Sequence, residues 1–402
     1  MTDNRIGAPR ASALRASLVA LPLAALLAAC GGGGSDTTPA FHATSVKVMG
    51  DSLADSGTFG FKFTVQKTTA TGAIDLTTPR VYPELIANLY GFASLCSFYV
   101  ATSATTFVAN PAPGCTNYAI GGGRINNFTA PTSPVSIPVQ LASASAAGNY
   151  AAGDMLIIDG GGNDAADLIG AYLAIPTDSA GSYSAVLGSL LPAATVGTAL
   201  TGGASTIAAA GGTYMAALAD KFYAAITTSA LGKGATHVVI LNMPGITNTP
   251  RFQTVLGSIA AASGGGAAGA AAAAQASGLF NSWIVAFNTE LAAKAAGESR
   301  VVVVDFFTSF NDQVANPAQY GLQNATVPAC PITGTDSSGL PSYTFATCTD
   351  VALTATAPPT GATGGASWWQ TYAFSDSFHP TPQGQKNLAQ LISRSLAQAG
   401  WL

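Results

Sequence analysis

Short apolar runs alternate along the chain with longer stretches of helical periodicity. Five runs predict buried strands, over residues 45–49, 116–120, 154–159, 236–242 and 300–306. Ile157-Ile158, Val238-Val239-Ile240 and Val301-Val302-Val303-Val304 are continuous instead of alternating. Continuous runs belong to parallel sheets covered on both faces. Apolar positions at helical spacing predict helices over 83–90, 135–147, 214–231, 280–296 and 382–399. Strands alternating with helices give a doubly wound α/β domain, here a three-layer α/β/α sandwich with about five parallel strands. Ligands of such sheets sit at the carboxyl ends of the strands.

Several stretches fall outside that core. Residues 61–80 are Thr-rich and are expected as a surface excursion. Residues 201–212 and 259–277 are Ala/Gly-rich, expected as permissive loops or helical spacers. Residues 326–367 are long, rich in turn formers and contain Cys330 and Cys348. They read as a disulfide-braced insertion placed to shape a substrate mouth.

Composition narrows the class. The chain has 402 residues, of which 48% are hydrophobic and only 8% are Asp, Glu, Lys or Arg. Formal net charge is −4; removing residues 1–29 takes away Arg5, Arg10, Arg15 and Asp3, a net +2, and leaves −6. Without a Lys/Arg cluster, the electrostatic footprint of nucleic-acid binding is missing. The three arginines precede an apolar run, 16–29, too short to span a bilayer and of the size of a signal-peptide core. It ends in Leu27-Ala28-Ala29-Cys30, followed by Gly31-Gly32-Gly33-Gly34-Ser35. This resembles a bacterial lipobox, in which Cys30 would be lipidated and become the first mature residue. The expected plan is a signal peptide at 1–29, a lipidated Cys and flexible tether at 30–44, and one catalytic domain at 45–402. Gly31 lacks the acidic residue that retains lipoproteins in the inner membrane, so the expected address is the outer membrane, or secretion if Cys30 is not lipidated. Since the chain stops at Leu402, soon after the last helical pattern, attachment is expected to rest on Cys30 and not on an appended barrel.

Four cysteines remain: Cys96, Cys115, Cys330 and Cys348. None stands at metal-ligand spacing, and an even set in an oxidising compartment suggests two disulfides. Of three connectivities, nearest-neighbour pairing is the expectation.

Only three histidines occur, and a serine hydrolase needs one as base. His42 sits in the tether, and His237 lies inside an apolar strand pattern, where a core or strand-end role fits best. His379 lies in Ser375-Asp376-Ser377-Phe378-His379-Pro380, with Asp376 three residues before it. On one turn that spacing lets the carboxylate reach the imidazole and fix its tautomer. Ser52, in Gly50-Asp51-Ser52-Leu53, directly follows the first strand, where backbone N–H groups collect at the sheet edge. No GxSxG pattern occurs. Asp51, Asp55 and Asp159 read as braces of turns, and Arg124 has no assigned role.

These residues resemble the SGNH (GDSL) hydrolases. Gly50-Asp51-Ser52-Leu53 with the continuation Asp55-Ser56-Gly57 is similar to the first family block. Asn117-Tyr118-Ala119-Ile120-Gly121-Gly122 is similar to the second, Gly161-Gly162-Asn163-Asp164 to the third, Leu241-Asn242-Met243-Pro244 to the weaker fourth, and Asp376-Ser377-Phe378-His379 to the fifth. The blocks keep the family order over residues 50–379. The resemblance implies a flavodoxin-like sheet, a Ser52-His379-Asp376 triad, and an oxyanion hole from the Ser52 N–H, the Gly122 N–H and the Asn163 side chain, with Gly121 as the alternative if the register is off by one. No metal or organic cofactor is implied. The implied activity is hydrolysis of carboxylic esters through an acyl-enzyme. Alternatives are a sugar O-acetyl esterase, a phospholipase or a polyester depolymerase of the same mechanism, or a non-catalytic surface lipoprotein.

Overall fold

A computed structural model describes residues 41–402. The expected signal segment, Cys30 and the tether up to residue 40 lie outside the described residues. Among the described residues four parallel strands form the central sheet in the order β1 (Ser45–Met49), β2 (Asp154–Ile158), β3 (His237–Leu241) and β4 (Val301–Val304). Met49 pairs with Ile158, Ile158 with Ile240 and Ile240 with Val303, so the carboxyl ends of the strands are nearly level.

Alternate side chains serve the two faces, as the pleat requires. Met49, Leu156, Ile158, Val238 and Ile240 pack against α2 (Ile137–Ser145), α3 (Gly162–Leu173), α4 (Ala204–Ser229) and α6 (Gly266–Ala295). Val46, Val48, Ile157, Val239 and Leu241 pack against α1 (Tyr82–Leu89), α7 (Phe306–Ala315) and α8 (Pro382–Gln398). Every residue of β2 is buried, which explains its unbroken apolar run.

The expected fifth strand is reduced to a contact. Residues 116–120 run beside β1, with Val48 N donating to Thr116 O at 3.1 Å and Tyr118 N to Val48 O at 2.7 Å. Only the Val48–Asn117 pair forms a ladder rung on that side. Asn117 turns its amide to Ala54 O at 2.7 Å and accepts from Ala119 N at 3.0 Å, so its side chain serves the neighbouring turn. The segment keeps the edge position that a flavodoxin-like order reserves for it. At β4 the expected strand stops early, because the Asp305 side chain accepts from Thr308 N and starts α7 at Phe306. The helices α3 and α7 have no counterpart among the expected elements.

The Ala/Gly stretches are helical. They extend the two expected helices backwards into α4 and α6, and α5 (Pro250–Ala262) carries the start of the second stretch. Alanine has the highest helix propensity, and small residues let helices approach closely. Gly211 of α4 lies so near Trp283 of α6 that a Cβ there would overlap the indole, whose Nε1 donates to Ala208 O at 2.9 Å.

The expectation of a surface excursion at 61–80 fails for its first part. Lys62, Thr64, Val65 and Gln66 are buried. Lys62 Nζ pairs with Glu84 Oε1 at 2.7 Å and donates to Thr78 O at 2.8 Å, which satisfies a cation that burial would otherwise make costly. Residues 326–367 lean on the same segment. Gln66 N donates to Cys348 O and Asp350 N to Gln66 O, both at 2.9 Å, and Val65 packs with Leu353, Trp368 and Trp369. Disulfides join Cys96 to Cys115 and Cys330 to Cys348, the nearest-neighbour pairing. Among the described residues no helix is long and apolar enough to cross a membrane.

Candidate active site

The chain leaves β1 at Met49 and turns sharply. Gly50 sits against Asp159, just past β2, and a Cβ at Gly50 would overlap Asp159 Oδ1. Gly50 N donates to Gln140 Oε1 at 2.7 Å and Asp51 N to Asp159 Oδ1 at 3.0 Å. Asp51 closes the turn, its Oδ1 accepting from Leu53 N at 2.9 Å and its carbonyl from Ala54 N and Asp55 N. Ser52 is held in this turn, buried at 4% exposure, and its N–H has no hydrogen-bond partner among the described residues.

Burial pushes the Asp51 carboxyl up, and burial followed by the neighbouring Asp51 charge pushes Asp159 well above the ordinary carboxylate range. Tyr82 Oη donates to Asp159 Oδ2 at 3.1 Å. These carboxyls therefore brace the turn, as the sequence suggested.

The second turn precedes α8. Asp376 Oδ1 accepts from Phe378 N at 2.8 Å and His379 N at 2.6 Å, which folds residues 376–379 back on themselves. Asp376 Oδ2 then meets His379 Nδ1 at 2.9 Å. With Nδ1 donating to the carboxylate, Nε2 faces Ser52 Oγ at 2.7 Å as the acceptor. Burial by itself would raise the Asp376 carboxyl, but the imidazole and the N–H donors of His379 and Phe378 outweigh it and hold the carboxyl below its ordinary value. The two turns are locked together. Gln385 of α8 accepts from Tyr82 N at 3.0 Å and donates to Leu53 O at 3.3 Å, and Thr64 Oγ1 donates to Pro380 O at 2.9 Å.

A third loop, 121–124, brings glycines to the first turn. A Cβ on Gly123 would stand 3.0 Å from Asp51 Cα. Gly121 N donates to Asp55 Oδ2 at 2.9 Å and Gly123 N to Ile120 O at 2.9 Å. Gly122, at φ +80°, keeps an N–H without a partner among the described residues. Of the two candidates that the sequence left open, Gly122 therefore has the free donor and Gly121 does not. Arg124, without a role from sequence, braces this loop. It grips Asp167 with Nε at 2.6 Å and Nη2 at 3.0 Å, and donates from Nη1 to Gly122 O at 2.7 Å. That bidentate pair fixes the peptide following Gly122. Asn163, in the first turn of α3, uses one amide hydrogen on Gly123 O at 3.0 Å and keeps the other. Asp164 next to it accepts from Ile125 N at 3.0 Å and Asn126 N at 2.7 Å.

The structure thus brings Ser52, His379 and Asp376 into one hydrogen-bonded line, with Gly122 and Asn163 joined to the same turn through Gly123. It leaves the other histidines elsewhere. His42 is exposed, and His237 opens β3 at the opposite end of the strand, stacked on Phe41 with ring centroids 3.6 Å apart. Asn242 and Asp305 bond each other at 3.0 Å beyond β3 and β4. Among the described residues no three His, Cys, Asp or Glu side chains gather as a metal-sized group. Sequence reasoning missed Gln140, Tyr82 and Gln385 as clamps, because each lies far from the motifs it holds. It also missed Phe63 and Phe345, whose ring centroids stand 5.2 and 5.5 Å from the His379 ring. The alternation of Phe59, Phe61 and Phe63 was the available signal.

A family model described as GDSL-like Lipase/Acylhydrolase matches residues 46–392. A search of curated proteins gave no match.

The Asp164 brace makes stability depend on pH. Burial raises its carboxyl from 3.8 to about 6 against the pull of the Asn126 and Ile125 N–H groups. Between these values the folded chain holds a proton that the unfolded chain has lost, so the contribution of this group falls as pH rises through the window. The expected fall is about 2 kcal/mol between pH 4 and pH 7. Urea unfolding of the wild type and Asp164→Asn across that range measures it. The two stability curves should converge or cross as pH rises; parallel curves would refute the assignment.

Proposed function

The chain belongs to the GDSL-like lipase/acylhydrolase family, whose members are ester hydrolases, and on that basis we propose that it cleaves carboxylic esters with Ser52 as nucleophile, His379 as general base and Asp376 as orienting carboxylate. The observation that carries this reading is the 2.7 Å contact between Ser52 Oγ and His379 Nε2, continued by the 2.9 Å contact to Asp376. His379 takes the Ser52 proton as Oγ attacks the ester carbonyl carbon. The carbonyl π bond opens to an oxyanion, facing the Ser52 N–H, the Gly122 N–H and the free Asn163 amide hydrogen. Collapse of the tetrahedral species expels the alcohol, which leaves with the proton carried by His379. Water, deprotonated by the same imidazole, attacks the acyl-serine; the acid departs and Oγ regains its proton. Asp376 stabilises the imidazolium in both halves and stays ionised, which its lowered pKa favours.

We also propose that Cys30 is the lipidated first residue of the mature chain and that the protein is an exported lipoprotein of the outer membrane. The support is the run Leu27-Ala28-Ala29-Cys30 and the glycine tether after it. Several acyl chains on one cysteine would make the attachment stable.

A fluorophosphonate probe is expected to label the wild type and not Ser52→Ala. A folded wild type that stays unlabelled would favour a non-catalytic lipoprotein. Asn163→Ala should keep the label but lower kcat by about 10² to 10³-fold, the typical loss for one oxyanion donor; an unchanged kcat on p-nitrophenyl butanoate would remove Asn163 from the hole. Metabolic labelling with a palmitate analogue in a bacterial host should mark the wild type and not Cys30→Ala, and equal marking would overturn the anchor.

A further inference from the structure

Phenylalanine rings line one side of the site. Phe59, Phe61 and Phe63 alternate along the segment after the first turn, while Lys62 between them is buried on Glu84. The chain runs through bends here, with Gly60 at φ +80°, and the three rings gather on one another, Phe61 standing 6.1 Å from Phe59 and 5.4 Å from Phe63 between centroids. Phe63 lies over Gly121, where a Cβ would overlap its ring, and tilts against His379. Phe345, from the segment closed by Cys330 and Cys348, packs edge-on to Phe63 with centroids 5.4 Å apart and stacks on Phe61 at 6.1 Å. Phe107 closes the far end against Phe59 at 5.8 Å. Phe61 and Phe63 are half-buried, and neither belongs to the three apolar cores among the described residues. The Cys330–Cys348 disulfide fixes the loop that delivers Phe345.

The recess on the other flank of Ser52 is small. A recess beside Leu53, Gly160, Gly162 and Phe378 has a volume of about 30 Å³. A single water needs roughly 10–15 Å³ on that measure, so the recess takes about an acetyl-sized group. A longer hydrocarbon must lie along another apolar surface, and the phenylalanine wall is continuous with both His379 and Gly121. Its rings offer contact to a hydrocarbon but no hydrogen-bond partner to the hydroxyls of a sugar.

We propose that this wall is the binding subsite for the hydrocarbon moiety of the ester, so that the substrate class is esters bearing an aliphatic chain or ring and not acetylated sugars. The proposal rests on the ester-hydrolase reading of Ser52 and His379 and goes further by naming what the site selects. Whether the hydrocarbon belongs to the acid or the alcohol side, the recognising chemistry is the same.

Two substrate series test it. One holds p-nitrophenol constant and lengthens the acyl group from acetate to octanoate; the other holds acetate and lengthens the alcohol. The wild type should show kcat/KM rising about tenfold from four to eight carbons in at least one series, the gain from partly burying four methylenes. Phe61→Ala should cut the octyl-to-butyl ratio of that series several-fold, and Phe61→Leu should restore part of it. A merely structural Phe61 would lower all chain lengths alike and leave the ratio fixed. Flat profiles in both series, or a steep profile that Phe61→Ala leaves unchanged, would overturn the proposal; the latter would move the chain to the groove between α3 and α5 beside Phe252. Failure of the ester-hydrolase reading looks different, since turnover itself would then survive Ser52→Ala or be absent from the wild type. The wild-type profile needs no variant, so a misfolded Phe61→Ala does not block the test.

Discussion

A 2.7 Å hydrogen bond joins Ser52 Oγ to His379 Nε2 across 327 positions of sequence, and the rest of the molecule is arranged so that this bond can form. A contact of that sequence separation costs loop-closure entropy, and no local propensity supplies it. The parallel sheet does. Each strand ends at the same edge, so a turn after β1 and a turn before α8 can meet there. The buried faces of the sheet carry the driving force, while the edge carries the turns that bear the reacting polar groups. Glutamine side chains complete the arrangement: Gln140 holds Gly50, and Gln385 ties α8 to both α1 and the Ser52 turn.

Acidic side chains around the site hold loops without regular secondary structure by accepting their N–H groups. Asp51, Asp55, Asp159 and Asp164 each receive backbone donors, and burial pushes all four carboxyls upward. Asp376 receives backbone donors as well, yet it alone of these lies against an imidazole, and its carboxyl is pulled the other way. Environment therefore separates the proposed orienting carboxylate from its structural neighbours, although all five are aspartates. The same loops leave the Ser52 and Gly122 N–H groups unpartnered, while the donors beside them, on Gly121 and Gly123, are used. A free donor beside a hydroxyl is what an oxyanion needs, because an occupied one would have to break a bond first.

The segment at 326–367 links specificity to stability in this reading. Its disulfide and its contacts with Val65 and Gln66 hold it against the segment that bears Phe59, Phe61 and Phe63. The wall next to His379 is thus built from parts far apart in sequence, each anchored on its hidden side: Lys62 on Glu84, and Cys348 on Cys330.

The sequence by itself determined the α/β class, the strands at 45–49, 154–159 and 236–242 nearly to the residue, the final helix and the chemistry-bearing motifs. Those features are carried by local periodicity and by residues within one turn, such as Asp376 and His379. It misjudged the strand count and the exposure of residues 61–66, and it left open whether the Ala/Gly stretches are loop or helix. Each of these depends on partners distant in sequence: Asn117 bent by Ala54, Gly211 against Trp283, Lys62 paired with Glu84. Tertiary structure alone decided that Gly122 and not Gly121 keeps a free N–H, because Asp55 reaches across 66 positions to take the other. It alone gave Arg124 a partner and gathered the phenylalanines beside His379. Periodicity tells which face of an element is buried; only the folded chain fixes which donors remain unpaired.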